Sequence, residues 1–155
     1  MKQDTMTTNK KLDLTKEQLE IIEDAVRATF KQGKRAGSRD DRGNFGCKYR
    51  GEGGTKCLVG HMIPDSEYKP SFDGQTVNVD SIVDYVPTLS PTFEGAVNSY
   101  ARRQLSTLQG CHDEATDSDF KLGLIRDIKN SIEEGLLSKQ LNKVVEELKK
   151  EYRAS

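Results

Sequence analysis

The chain has 155 residues, of which 34% are hydrophobic and 32% charged, so it is polar for a globular protein but not so depleted in apolar residues that disorder is expected. Its 24 basic and 25 acidic side chains leave a net charge of −1, which excludes a global field that would hold the protein on nucleic acid or on an anionic membrane. A chain of this length is expected to form one domain that buries roughly two thirds of its unfolded surface.

The N-terminal segment is the first element in chain order. Residues 1–12 are polar and unpatterned, which predicts a flexible arm over 1–12, followed by a single globular domain over 13–155. The segment lacks the apolar core of a signal peptide, and no run of roughly 18 apolar residues follows it. We therefore expect a cytoplasmic protein without membrane contact, in the cytoplasm of the host cell if the chain is phage-encoded.

Four amphipathic helices are predicted from apolar residues spaced three and four apart. The four stripes are Leu19, Ile22, Val26 and Phe30; Phe93, Val97, Ala101, Leu105 and Leu108; Phe120, Leu124, Ile128 and Ile132; and Leu141, Val144, Val145, Leu148 and Tyr152. Thr15 and Gln18 form a capping box for the first helix, and Ser138 is the expected cap of the last. The stripes predict a mainly α fold with about four helices.

A small β-hairpin is predicted around residues 45–59, which gives the fold a minor β part and makes it mainly α within the α+β class. The alternation from Phe45 to Tyr49 is typical of a strand, and the glycines between 51 and 54 permit a tight turn. The return segment, 56–63, fits either a second strand or a short helix. Cys57 and His61 are four residues apart, so they share a face in both cases.

The cysteines are an odd number in a compartment that keeps thiols reduced, since the chain has three. A disulfide framework is therefore not expected. The alternatives are buried thiols, metal ligands and a catalytic nucleophile, and burial is the commonest of these for a cysteine. The sequence alone leaves the three alternatives open.

Three stretches of the sequence resemble the signature of an uncharacterised family of small bacteriophage and bacterial proteins. They read C-K-Y-R, K-C-L-V-G-H-M-I-P-D-S-E-Y and L-Q-G-C-H-D, within residues 45–68 and 105–113. The resemblance implies a core pattern that consists of Tyr49, Arg50, Cys57, Gly60, His61, Pro64, Asp65, His112 and Asp113. It implies a phage or mobile-element accessory protein that binds a host protein or small ligand and thereby modulates host physiology or counters host defence.

A metal site is one chemical alternative for this region. The candidate ligands are Cys47, Cys57, His61, Cys111 and His112, which are residue types that zinc prefers. The spacing between the two cysteines of the first stretch is wider than in a zinc knuckle, whose ligands lie about two to four residues apart. No cofactor is therefore expected, and zinc is kept as the alternative.

A cysteine- and histidine-dependent enzyme is a second alternative, so whether the chain is an enzyme stays open. The candidate catalytic residues are Cys57, His61, His112 and Asp113, because a thiolate nucleophile needs a base beside it and a group that orients the base. Residues 57–61 and the end of the second long helix both present faces that need burial, so we expect them to pack together and to bring Cys57 and His61 near Cys111 and His112.

A third alternative is a local site for a nucleotide or nucleic acid in the basic segment 31–56. The glycines of R-G-E-G-G-T-K expose backbone N–H groups between Arg50 and Lys56, and Tyr49 is a potential stacking platform. The P-loop order of residues is absent, and acidic residues dilute the segment. We favour a host protein or small ligand as the partner over nucleic acid, and the oligomeric state is left open.

Overall fold

The computed structural model describes residues 12–39, 41–42, 45–74, 79–94, 99–114 and 119–154. At positions 38–39, 45–47, 74, 79–80 and 112–114 it describes the backbone alone. The arm predicted over 1–12 lies outside the described residues except for Leu12.

The protein is mainly helical, as predicted. The four long helices are α1 (Lys16–Gln32), α2 (Ser99–Glu114), α3 (Phe120–Glu133) and α4 (Asn142–Ala154). Single helical turns connect them, and their bounds are Glu52–Gly54, Val59–Met62, Asp65–Glu67, Ser71–Gly74, Val79–Ile82, Val83–Tyr85, Ser90–Phe93 and Lys139–Leu141.

Helix α1 begins where its sequence predicts. The hydroxyl of Thr15 accepts a hydrogen bond from Gln18 N at 3.1 Å, and Gln18 Oε1 accepts one from Thr15 N at 3.0 Å, which confirms the capping box. The helix ends at Gly33, whose φ of 73° is left-handed backbone that favours glycine. Ser138 likewise caps the turn Lys139–Leu141 that precedes α4.

The β-hairpin predicted over 45–59 is wrong. Strand β2 (Phe45–Cys47) does form, but it pairs antiparallel with β1 (Gly37–Arg39), which precedes it in the chain. The return segment folds into a helical turn at Val59–Met62, and a single bridge between Arg50 and Lys56 closes the glycine loop. Strand β2 thus pairs with the segment that follows α1. The hydrogen bond from Lys48 N to Ala36 O, at 3.1 Å, extends this pairing by one more residue on each side.

The second predicted stripe is divided between two elements. Phe93 lies in the turn Ser90–Phe93, which ends where Glu94 adopts extended backbone with ψ of 143°. The carbonyl of Phe93 accepts a hydrogen bond from Arg102 Nε at 2.7 Å. A side chain of α2 thus supplies the donor that a backbone N–H would supply if the helix continued. Ala101, Leu105 and Phe93 are all buried, so the stripe faces the core although it is not one helix.

The core is one cluster of buried apolar side chains to which every long helix contributes. Helix α1 packs against α3, α4 and the turn Val59–Met62, while α2 packs against α3 and the turn Val79–Ile82. The described members of all four predicted stripes are buried, apart from Leu19 and Tyr152, which pack against the edge of the cluster. None of the helices in the described part of the chain is long and apolar enough to cross a membrane.

Glutamine side chains join these helices to the connecting segments. Gln104 is fully buried in α2; its Nε2 donates to Leu12 O at 2.8 Å, and its Oε1 accepts from Ser138 N at 2.9 Å. Four more amides bond the main chain of a neighbouring segment in the same way, and they belong to Gln18, Gln32, Gln109 and Gln140. Each amide satisfies backbone groups that a turn would otherwise leave unpaired.

Candidate functional site

The stretch that resembles the phage family folds around the side chain of Arg50. Its guanidinium donates to Gly60 O at 3.1 Å and to Ile63 O at 2.8 Å, and it lies 3.1 Å from a carboxylate oxygen of Asp65. The same group stacks over the ring of Tyr68, 5.0 Å from its centroid. Arg50 therefore fixes the path of residues 60–68. Its two hydrogen bonds to main-chain carbonyls do not depend on the side chains of the residues that supply them.

Asp73 holds the same region from the other side. Its carboxylate accepts hydrogen bonds from Tyr49 N at 2.7 Å, from Arg50 N at 3.3 Å and from the hydroxyl of Tyr68 at 2.6 Å. Burial and this carboxylate raise the pKa of Tyr68 to about 12, because both oppose a phenolate charge at that place. The neutral phenol is therefore the form that the fold stabilises.

Two glycines allow the backbone segments to come this close. A Cβ on Gly60 would lie 2.3 Å from Tyr49 O and 3.2 Å from Cys57 Sγ, and a Cβ on Gly51 would lie 2.2 Å from Gly37 N. Neither position has a positive φ, so the requirement is for space and not for an unusual backbone conformation. Gly51 and Gly60 therefore serve packing, whereas Gly53 and Gly54 have positive φ values of 67° and 77°, which favour glycine.

Cys57 and His61 lie one helical turn apart, which agrees with the helical alternative for residues 56–63, and the shared face of their side chains stays a prediction. The Cys57 side chain is 1% exposed, and its Sγ accepts a hydrogen bond from Gly60 N at 3.2 Å. His61 is half-buried, and its main-chain N donates to Cys57 O at 3.0 Å and to Leu58 O at 3.2 Å. The Cys57 thiol is therefore buried, and its hydrogen bond with Gly60 N helps to hold residues 57–61 in a turn.

Gln109 of α2 connects this turn to the second signature stretch. Its Oε1 accepts a hydrogen bond from Val59 N at 3.1 Å, so residues 57–61 and the second half of α2 are in contact, as the sequence predicts. Helix α2 continues past Gly110 to Glu114. The side chains of His112 and Asp113 lie outside the described residues, so their predicted catalytic role stays a prediction.

A metal centre has no support in the described part of the chain. No three histidine, cysteine, aspartate or glutamate side chains with described positions are grouped so that they could bind an ion. Cys57 and Cys111 are both buried and form no disulfide. The side chains of the other two candidates, Cys47 and His112, are not among those described.

The three predicted ligand-binding residues lie in one region, where Arg50 and Lys56 share the exposed side chain of Asp65. Lys56 Nζ and Arg50 Nη2 flank the same carboxylate oxygen of Asp65, at 3.2 and 3.1 Å. The hydrogen bond from Lys56 holds the pKa of Asp65 below its usual range, and Arg50 adds to this effect. Tyr49 is 8% exposed, so its ring is not a stacking platform. The two basic side chains expected to bind a phosphate are thus paired with a carboxylate of the chain itself.

A separate groove lies between α2 and α3, and the sequence patterns do not predict it. Its volume is about 350 Å³, and its lining consists of Thr107, Gly110, Cys111, Asp127, Asn130, Ser131, Glu134 and Leu136. At its floor, Cys111 Sγ lies 3.6 Å from Ser131 Oγ. The alternation of apolar and polar positions on α3 indicates a solvent-facing side, but only the crossing of α2 makes that side concave.

The expectations from the sequence do not include Asp73 and Gln32, which hold the first signature stretch in place, and they give no role to Gln109, although it lies in the second signature stretch. Asp73 and Gln32 lie well outside the segments that they bond, so no local pattern marks them. A scan against protein-family models and searches of curated proteins and of solved structures find no match to the chain. The function must therefore be argued from the site geometry and from the sequence resemblance.

Proposed function

We propose that the protein is a small accessory protein that acts by binding a host protein or small ligand, and not by catalysis at Cys57. The observation that carries this proposal is the burial of Cys57, whose sulfur already accepts a hydrogen bond from Gly60 N. A catalytic thiolate must reach its substrate, and reactive cysteines lie in partly exposed, electropositive surroundings. Cys57 lacks that access.

The same argument applies to the charged residues of the signature. Arg50 binds two main-chain carbonyls, and Lys56 faces Asp65. Because these contacts shape residues 49–73, the resemblance to the phage and bacterial family supports a common scaffold more directly than a common reaction. It also supports the origin that we propose, a phage or mobile element whose product alters host physiology or counters host defence.

Binding to nucleic acid through residues 31–56 is the alternative. Lys31, Lys34 and Lys48 are exposed and would supply positive charge. The buried ring of Tyr49 removes the stacking surface on which binding to single strands depends. The alternative would therefore rest on charge alone, in a chain whose net charge is −1.

The test compares the wild-type protein with Cys57→Ser, since serine keeps an acceptor for Gly60 N and removes the thiol. Alkylation of the native protein should label Cys57 far more slowly than alkylation in denaturant. Tagged wild-type and variant proteins are expressed in bacteria and purified, and native mass spectrometry identifies the partner that each retains. The two proteins should retain the same partner. Rapid native labelling of Cys57, or loss of the partner in a folded variant, would contradict the proposal.

A further inference from the structure

The groove between α2 and α3 carries chemistry that the signature scaffold does not use. We propose that it binds a basic side chain, arginine or lysine, which a partner protein presents. This inference rests on the proposed binding function and names the chemistry of the partner. Three independent features of the groove support it: a glycine in its floor, the charge of its wall and an apolar residue at its mouth.

Gly110 opens the floor of the groove. It lies inside α2, where glycine destabilises a helix relative to alanine, and a Cβ there would meet no atom within 4 Å. Packing within the described part of the chain therefore does not require glycine at this position, in contrast to Gly60. A missing side chain that faces a cavity lets another molecule approach the helix backbone closely.

The wall of the groove is acidic. Asp127 of α3 and Glu134, the residue that follows α3, supply two carboxylates, and Asn130 lies between them in the sequence. Arg126 Nε is 3.8 Å from Asp127, at the limit of an ion pair, and the Arg126 side chain is mostly exposed. The wall therefore attracts a cation, and a guanidinium that bonds both a carboxylate and a neighbouring amide matches its groups.

Leu136 gives the mouth an apolar side. This side chain is 50% exposed and lies three residues after the end of α3. Arginine and lysine have long aliphatic stems that cover apolar surface while the charged end reaches polar groups. The volume of about 350 Å³ lies at the lower end of the range for ligand pockets, which suits one long side chain.

The probe is a fluorescein-labelled peptide of alternating alanine and arginine, compared with the same peptide in which citrulline replaces arginine. Citrulline keeps the shape and removes the charge. Fluorescence anisotropy should show that the arginine peptide binds at least about tenfold more tightly, and the Asp127→Asn, Glu134→Gln double variant should lose about tenfold in affinity for it. Amide resonances of Gly110 and Ser131 should shift on binding.

Gly110→Ala provides the sharpest variant, because its effects on binding and on stability have opposite signs. The added methyl group projects into the groove and should weaken peptide binding, while the gain in helix propensity should raise Tm by about 2 °C. Ser106→Ala is the control, since Ser106 is exposed on the same helix and does not line the groove. It should leave the affinity unchanged.

Equal binding of the citrulline peptide, or binding that the double variant does not weaken, would overturn the inference. Shifts confined to other acidic surfaces would do the same. The proposed function has its own readout. If the double variant still retains the partner that the wild-type protein retains, the groove assignment fails and the proposed function stands. If the wild-type protein retains no partner, the proposed function itself fails.

Discussion

Val59 and Gln109 are 50 residues apart in the chain, yet the main-chain N of Val59 donates a hydrogen bond to Gln109 Oε1 at 3.1 Å. This contact joins the two stretches that resemble the phage family. Both residues are buried, with Gln109 only 7% exposed, so water cannot replace the bond. The relative position of the two stretches is thus set by a side-chain amide and a backbone N–H.

Gln109→Ala should destabilise the protein by about 1–3 kcal/mol, because the variant leaves the N–H of Val59 buried without an acceptor. Urea denaturation would give the loss, and hydrogen exchange should become faster at Val59 than at distant amides. The exposed control Ser106→Ala should not lower the urea midpoint, because alanine has the higher helix propensity, and it should leave exchange at Val59 unchanged. An unchanged urea midpoint in Gln109→Ala would contradict the role assigned to this contact.

Arg50→Lys should cost about 2 kcal/mol of folding free energy, although the charge is kept. Lysine cannot reach the carbonyls of Gly60 and Ile63 with a planar, two-pronged donor. Asp65→Asn is the matched control, since Asp65 is 81% exposed and its ion pairs lie in water. It should leave the urea midpoint nearly unchanged. Equal effects of the two changes would mean that the ion pair, and not the carbonyl contacts, stabilises the loop.

Gly60→Ala should destabilise by about 3 kcal/mol or more. Its Cβ would lie 2.3 Å from Tyr49 O, and because that atom is backbone, the clash can be relieved only by moving the main chain. Gly110→Ala supplies the contrast, since its Cβ enters open space and should raise Tm. Thermal unfolding of both variants measures the difference. Similar Tm changes in the two would show that the close approach at Gly60 is not as described.

Alkaline pH should weaken the fold through Tyr68. Its pKa is about 12 in the folded protein, and a tyrosine in an unfolded chain has a pKa of about 10. The fold favours the neutral phenol, so this contribution is fully present below about pH 10 and is lost as the pH rises from about 10 toward 12.

Absorbance titration of the phenolate and urea midpoints at several pH values would test this expectation. The difference in stability between wild type and Tyr68→Phe should narrow above about pH 10, since phenylalanine cannot ionise. Tyr152→Phe should show a change with pH in the same direction, because the hydrogen bond to Asp119 also raises the pKa of Tyr152, which lies at the surface. A constant difference for Tyr68→Phe across this range would refute the assignment.

The long helices follow from the sequence because their information is local. Apolar side chains repeat at helical spacing, and Thr15 with Gln18 marks where α1 begins. The strand pairing does not follow, because β2 is as close in sequence to 37–39 as to the return segment. In the fold, the return segment forms a helical turn, and the carbonyls of Gly60 and Ile63 accept hydrogen bonds from Arg50.

The candidate site shows the same division. The spacing of Cys57 and His61 predicts a shared face in a strand or in a helix, and it leaves burial, metal binding and catalysis open. Burial was decided by Gly60, which bonds the sulfur, and by the approach of the Tyr49 backbone to that glycine. The groove at Gly110 could not be predicted either, because it exists only where two helices cross.

The five glutamine amides that join helices to connecting segments carry no charge. Dissolved ions screen attractions between charges, but they act weakly on a hydrogen bond between a neutral amide and the backbone. These joints should therefore hold the same geometry in dilute buffer and in concentrated salt. A salt titration can therefore separate weaker binding from a change of the fold. Where binding of a basic peptide weakens with added salt, the loss reports the screened attraction between the two surfaces, because the contacts of the glutamine amides stay unchanged.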